Sequence, residues 1–392
     1  MREENAGEMS YTTDMKQILR FKPEHRKERA IIMKNQKLVL GVLGLGEGRS
    51  IISAVQQSEY YELGNICDLN EELCRQRMEE FGLDKYTVRY EDMLEDKEID
   101  VIGIYTPDQL HAKHIMQALR AGKHVICTKP VIVGLDEAKE LKECQKNSGK
   151  HVFVGQSTRF FESVKYQREM YEQQNIGELI TVEAHYKNDS RWFLERDWSR
   201  QPGFSWMYNF MIHAVDLAAW YLPEIDEVFG YGAVSPNTRE YGLNAEDTMT
   251  FVARDTKGRF ATIEGAYGSP CLDGNVEFPI ECTLRGTKGI SRGGYSKFKY
   301  YERTVDEEGR HDRAETFDEK HDYYFRFEKE NHHAGEYQNY IEYFARKLMK
   351  GETPKPDLEE AFHTIGILEA MKRSLESGLP VKVGSILREY GL

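Results

Sequence analysis

The sequence predicts an α/β protein: a doubly wound parallel sheet in the N-terminal half, then an α+β domain with an open, mainly antiparallel sheet. Three observations lead there. From Lys37, short apolar runs alternate with helical segments, the rhythm of βαβ units. After about Ile180 this gives way to polar–apolar alternation, which suits strands with one covered face. A glycine-rich turn, Gly44-Leu45-Gly46-Glu47-Gly48, joins the first strand to the first helix.

The first strand, Leu38–Leu43, is apolar throughout, as a parallel strand buried on both faces should be. A helix over Ser50–Gln57, a strand over Tyr61–Cys67 and a helix over Asn70–Phe81 follow. Then come a short strand near Thr87–Tyr90, a helix over Met93–Asp96 and a strand over Val101–Tyr105. The half closes with helix Ala112–Ala121, strand His124–Cys127, helix Leu135–Asn147 and strand His151–Gly155. In the second half, ITVEAHY, VFGYGAV, TMTFVAR, FATIEGAYG and IECTLRG alternate, with hairpin turns expected at Asp255–Gly258 and Gly286–Gly289. The charged tract 302–333 reads as a long exposed loop, and Tyr337–Met349 and Leu358–Ser377 read as amphipathic helices. Residues 1–36 form a polar extension, 37–156 a dinucleotide-binding domain, and 157–392 a substrate-binding and oligomerisation domain.

At 392 residues the chain has the length of two to three domains of roughly 150 residues each. It carries 53 Lys+Arg against 66 Asp+Glu, a net charge of −13, which argues against nucleic acid as a partner. No apolar run reaches the roughly 18–20 residues of a membrane helix, so a soluble protein is expected. The six cysteines show no CxxC spacing and read as reduced thiols of a cytoplasmic protein. His311, His321, His332 and His333 lack metal-ligand spacing, and no metal is expected.

The glycine turn is the first chemical signal. A loop of bare backbone N–H groups at a helix N-terminus can receive a pyrophosphate, as in the Rossmann fold. Against G-x-G-x-x-G, Gly44 and Gly46 are in place, but Gly48 comes one position early. Arg49 fills the expected slot, where it could itself contact phosphate. Asp68, after the second strand, stands 24 residues beyond Gly44, counting 68 − 44, close to the spacing of the acid that binds the adenosine ribose. A carboxylate there would repel a 2′-phosphate, favouring NAD over NADP. The alternative is that Asp68 caps the helix beginning at Asn70.

Two further segments carry a resemblance. Thr106-Pro107-Asp108-Gln109-Leu110-His111 ends one strand, and Ala118-Leu119-Arg120-Ala121-Gly122-Lys123-His124-Val125 leads to Cys127-Thr128-Lys129-Pro130. From Lys37 to Val383 the chain resembles the Gfo/Idh/MocA (glucose–fructose oxidoreductase / inositol dehydrogenase) family, with its [TS]-P-[ND]-x-x-H, A-L-x-A-G-K-H-V and E-K-P motifs. Thr128 replaces the glutamate of the last. The resemblance implies an NAD(P)-dependent oxidoreductase acting on CH–OH groups, with Thr106, Pro107, His111 and Lys129 beside the cofactor.

The third signal lies on an apolar helix expected over Ser205–Leu222. Between Asn209 and Trp220 its strongly polar side chains are Asn209, His213 and Asp216, on one helical face. Buried polar groups need partners, so such a stripe marks either a site or a core histidine satisfied by Asp216. The family pattern here is D-x-G-x-H-x-x-D. His213 and Asp216 match it, whereas Asn209 replaces the first aspartate and Met211 the glycine. Asparagine can orient a hydroxyl but cannot accept its proton. The expected mechanism therefore uses His213 as general base, Asp216 as its orienting helper and Lys129 as a donor to the reacting oxygen. Arg159, Tyr186 and Trp206 are candidates for the substrate pocket, with Lys187, Arg196 and Trp198 weaker ones.

The sequence thus reads as an NAD-dependent oxidoreductase for a secondary alcohol of a sugar, glycoside or cyclitol. The altered helix accommodates a variant known in the family, oxidation of a glycoside C3 hydroxyl with NAD retained between half-reactions. The competing class is a non-catalytic NAD- or sugar-binding regulator. Retention of both Lys129 and His213 discriminates against it. The family habit of pairing the open sheet implies a homodimer or homotetramer.

Overall fold

Apolar residues on both faces of five short strands hold the first sheet at the centre of its domain. The computed structural model describes residues 37–200, 204–272, 276–295, 299–317 and 335–392. The polar extension, the side chain of Trp198, and His321, His332 and His333 lie outside the described residues. Strands β1 (Leu38–Leu43), β2 (Tyr61–Cys67), β3 (Val101–Ile104), β4 (His124–Thr128) and β5 (Val152–Gly155) run parallel in the order β2-β1-β3-β4-β5. Helices α1 (Gly48–Gln57), α2 (Glu71–Phe81), α3 (Tyr90–Glu95), α4 (His111–Arg120) and α5 (Ala138–Ser148) connect them. Asn70 caps α2 by accepting from the Leu73 N–H, and Gly82 ends it in the left-handed region. The strand expected near Thr87–Tyr90 is a single parallel bridge from Thr87 to Cys67. There the Thr87 hydroxyl accepts from the Arg89 N–H at 3.1 Å, a local bond that turns the chain into α3 before a ladder can extend.

Helix α6 (Glu162–Glu172) leads into a nine-stranded sheet made of β6 (Leu179–Lys187), β7 (Ile225–Ala233), β8 (Thr248–Asp255), β9 (Phe260–Ala266), β10 (Ile280–Gly286), β11 (Gly289–Tyr295), β12 (Lys299–Asp306), β13 (Gly309–Thr316) and β14 (Val381–Lys382). The order is β13-β12-β11-β10-β6-β9-β8-β7-β14, antiparallel except for β6 beside β9. Short helices α7 (Arg191–Leu194) and α9 (Pro236–Glu240) decorate the loops, and α8 (Ile212–Tyr221) packs against β6, β9 and β10. The tract expected as a loop from 302 contains the edge hairpin β12–β13 instead. Both faces of β13 are largely exposed, so it shows no apolar alternation, and Arg303 meets Asp312 across the pair at 2.6 Å. Charged edge strands of this kind resist edge-to-edge association.

Helix α10 (Glu336–Met349) returns to the first domain. Its Tyr340, Ile341, Phe344 and Ala345 share a core cluster with Leu40, Val42, Ile51 and Phe153, and the Tyr340 hydroxyl bonds that of Tyr105. A division at residue 157 therefore splits the chain but not the cores. Helix α11 (Leu358–Ser377), capped by Asp357 and ended by Gly378 at φ 67°, lies on β7, and α12 (Val383–Glu389) closes the chain against it.

The helix expected over Ser205–Leu222 is not uniform. Met207–Met211 is a π turn, with the Ile212 N–H reaching the Met207 carbonyl, and α8 begins only at Ile212. Such turns recur at functional sites.

Candidate active site

The glycine turn shows why its spacing is tolerable. Gly44 has φ +87°, and a Cβ there would stand 2.5 Å from the Tyr105 backbone. Gly48 opens α1, and its Cβ would meet Val42 Cγ1 at 2.8 Å, so this glycine lets helix and strand approach although it comes early. At Gly46 a Cβ would meet nothing within 4 Å, and the residue is exposed. The open cradle at Gly46, facing the first turn of α1, fits a dinucleotide pyrophosphate.

Arg49 does not face that cradle. Its Nε donates to Glu80 at 2.5 Å, Arg77 takes the other Glu80 oxygen at 2.8 Å, and Arg77 Nε holds the Leu45 carbonyl at 3.1 Å. The expectation of a phosphate contact is corrected: the Glu80 carboxylate on α2 draws the guanidinium aside. Asp68 accepts from the Leu45 N–H and the Asn70 N–H, both at 2.9 Å, tying the end of β2 to the glycine turn. The side chain that caps α2 is Asn70.

The loops after β3 and β4 form the next wall. Pro107 is exposed and Thr106 half-buried, with its hydroxyl 3.0 Å from His114 Nδ1. His111 is fully enclosed, its Nε2 2.7 Å from the Thr106 carbonyl and its Nδ1 2.7 Å from the Pro130 carbonyl. A cofactor contact for His111 is thereby corrected. An imidazole sealed at 0% exposure between two carbonyls clamps the loops after β3 and β4 together.

Lys129, just past β4 at the carboxyl edge of the sheet, is half-buried, and its Nζ donates to the Asn209 carbonyl at 2.6 Å. Burial lowers its pKa, and the charges of Asp108 and Glu47 oppose that. Asn209 belongs to the π turn, so this bond joins the two domains. Its Nδ2 donates to Asp108 Oδ2 at 2.9 Å. Asp108 is buried, and burial raises its carboxyl, opposed by His111, Lys129 and the Asn209 bond. Asp108 lies within the Thr106–His111 motif, and sequence reasoning misses it as a site residue. The available signal was a carboxylate just past the end of a central strand, in the layer that also carries Lys129.

One turn along the helix, His213 is 8% exposed, its ring 5.8 Å from that of Tyr186 at the end of β6. Burial pushes the Tyr186 phenol up to about 12. The structure thus joins Lys129, Asn209 and Asp108 by hydrogen bonds and, one turn along, sets the His213 ring against Tyr186.

Three expected residues fall elsewhere. Asp216 is 1% exposed and gives both carboxylate oxygens to Arg159, at 2.7 and 2.8 Å, so its role as orienting helper of His213 is corrected. Arg159, 4% exposed, also bonds Glu360 at 2.6 Å and lies 5.1 Å over the Trp220 ring. Each of its three guanidinium nitrogens donates to an internal carboxylate, which makes it a brace between Asp216 and Glu360. Trp206 is 0% exposed, stacked on Tyr267 at 5.2 Å and flanked by Phe193, Phe204 and Phe210, so it is core and not pocket wall. Of the weaker candidates, Lys187 pairs with Glu264 and Arg196 lies over Trp192.

The exposed glycine turn on a parallel sheet, and the Lys129 bond that ties that sheet's edge to the second domain, define a two-domain nucleotide-binding protein. The chain belongs to the Gfo/Idh/MocA oxidoreductase family: residues 38–156 match its NAD-binding Rossmann fold and residues 168–383 its C-terminal alpha/beta domain. It is 25% identical over 360 residues to D-xylose 1-dehydrogenase (NADP(+)) 2 of Haloferax volcanii, covering 88% of this chain and 98% of that one. It is 25% identical over 357 residues to myo-inositol 2-dehydrogenase of Thermotoga maritima, covering 89% and 99%. The structure of a levoglucosan dehydrogenase in complex with NADH and levoglucosan superposes with a TM-score of 0.76 at 19% identity, covering 89% of this chain and all of that one. Among the described residues no helix is long and apolar enough to cross a membrane.

Proposed function

We propose that the protein transfers a hydride between NAD and a secondary alcohol of a sugar, glycoside or cyclitol. The observation that carries this reading is the Lys129–Asn209 bond, which brings a half-buried amine from the end of the parallel sheet to the helix bearing His213. The relatives that act on xylose, inositol and levoglucosan support the substrate class.

The residues divide the work by position. The Gly46 cradle and the first turn of α1 hold the pyrophosphate, and Asp68 beside Leu45 meets the adenosine ribose and disfavours a 2′-phosphate. NAD supplies the hydride chemistry. His213 accepts the proton of the substrate hydroxyl. Lys129 donates to the same oxygen and stabilises its alkoxide character. Tyr186, protonated at neutral pH, offers a further donor beside His213. Oxidation at a glycoside C3 hydroxyl with NAD retained between half-reactions is the variant we favour. We take the open sheet face, where Val252, Phe260 and Tyr301 are exposed, as the surface of a homodimer or homotetramer in the cytoplasm.

The absorption spectrum of the purified protein, read for bound NAD(H) and followed by challenge with a panel of glycosides and inositols, tests the proposal. His213→Ala should abolish turnover and leave NAD affinity within a few-fold. Asn209 in place of the family aspartate favours a second reading, a non-catalytic NAD- or sugar-binding regulator. That reading prevails if no polyol or glycoside is turned over yet a sugar raises the melting temperature.

A further inference from the structure

Asn209 contacts two charged side chains that arrive from different loops of the first domain. Lys129, after β4, donates to its backbone carbonyl at 2.6 Å, and Asp108, after β3, accepts from its side-chain amide at 2.9 Å. The amide orientation is fixed by its partners, since Oδ1 faces the Ser205 N–H at 3.4 Å and a carboxylate needs a donor. An aspartate at 209 would set two carboxylates against each other at hydrogen-bond distance, where both cannot remain ionised. The asparagine therefore belongs with Asp108, and the carboxylate of this cluster sits on the first domain.

We propose that Asp108 is a positioning residue of this site: joined to Lys129 through Asn209, its carboxylate fixes where the lysine amine stands and keeps it charged. The proposal rests on the reading of Lys129 as the donor to the reacting oxygen. An ammonium donates to a developing alkoxide, whereas a neutral amine in the same place stabilises it less. Burial drives Lys129 toward the neutral form, and Asp108 is the first of the two charges that resist it, Glu47 on the glycine turn being the other. His111 on α4 acts on Asp108, and Asp108 in turn on the buried Cys127 thiol of β4. Glu47, His111 and Cys127 are thus titratable groups coupled to the pair.

Three variants test this: Asp108→Asn, Asn209→Asp and the two together, which exchange the carboxylate and the amide. Lysines of the whole protein are labelled by reductive 13C-methylation, the Lys129 resonance is identified by its loss in Lys129→Arg, and its titration is followed by NMR. Asp108→Asn should move that titration about one pH unit lower, the effect of losing one nearby opposite charge. The alkaline limb of kcat/KM should move with it. Asn209→Asp alone should lower kcat at least as much as Asp108→Asn. The exchanged pair should recover to within roughly tenfold of wild-type kcat/KM, a recovery of the kind a coupled pair shows in a double-mutant cycle. A Lys129 titration unchanged in a folded Asp108→Asn protein overturns the proposal. So does an exchanged pair no better than the worse single variant. If wild type turns over no polyol yet the Lys129 titration shifts as stated, the sugar-oxidoreductase reading falls and the Asp108–Lys129 coupling stands.

Discussion

The two ends of one helical segment use polar residues in opposite ways. At its start, the Asn209 backbone carbonyl accepts from Lys129, and His213, set against the Tyr186 ring, keeps 8% of its surface exposed. At its middle, Asp216 is 1% exposed and locked in two bonds to Arg159, which Glu360 holds from α11. The sequence presents all three as one stripe on an apolar helix. The difference is in the partners that packing brings: Lys129 and Asp108 reach Asn209 from the first domain, while Arg159, held by Glu360 of α11, closes over Asp216. A polar stripe marks both chemistry and internal bracing, and access decides which.

The largest expected effect would break that distinction if it failed. Asp216→Ala leaves the buried Arg159 guanidinium with Glu360 alone, and removing one partner of a buried pair costs about 3–5 kcal/mol. Urea unfolding should show that loss, with NAD affinity little changed in the folded fraction. An Asp216→Ala protein of wild-type stability that lost turnover would return Asp216 to the catalytic set.

At the cleft end, Lys129→Ala should do the reverse, lowering kcat by roughly 10²–10³ with little change in stability, the usual loss for one such donor. Lys129→Arg should rescue little, because a planar fork cannot replace a compact ammonium. Retention of more than a third of wild-type kcat in Lys129→Ala would remove the lysine from the chemistry.

The cofactor wall sharpens the comparison next. With Asp68 beside the glycine turn, NAD should bind at least tenfold tighter than NADP, about 1.4 kcal/mol, and Asp68→Ser should narrow the gap. Titration calorimetry with both nucleotides measures it, and equal affinities would sink the assignment. Because Asp68 also holds the Leu45 N–H, the same variant should weaken NAD slightly.

A pH effect belongs to half-buried imidazoles of the first domain. Burial lowers His114 and His124 from 6.5 to about 4. Above pH 6.5 both are neutral in the folded and unfolded chain, so the fold keeps its full stability. As pH falls from 6.5 toward 4, the unfolded chain takes up protons that the fold refuses, and stability declines. The melting temperature should fall across that window, and His124→Asn should flatten the decline. An unchanged slope in His124→Asn would place that imidazole outside the linkage.

The run LVLGVL, the glycines at 44, 46 and 48 and the alternation after Ile180 are enough to read both sheets and the glycine turn that opens the first helix. Those features are local: strand burial, turn geometry and periodicity are written in neighbouring residues. The β12–β13 hairpin is not legible because an edge exposed on both faces needs no apolar rhythm, and the apolar face of α10 does not by itself name the core it joins. The site divided in the same way. Sequence alone placed Lys129 at the sheet's carboxyl edge and His213 on a polar stripe. Tertiary structure decided that Arg159 braces Asp216, that Trp206 is core, that Arg49 turns to Glu80, and that Asp108 meets Asn209 across 101 positions of chain. Side-chain chemistry names what a group can bind, but its partners are set by long-range packing, which no local spacing encodes.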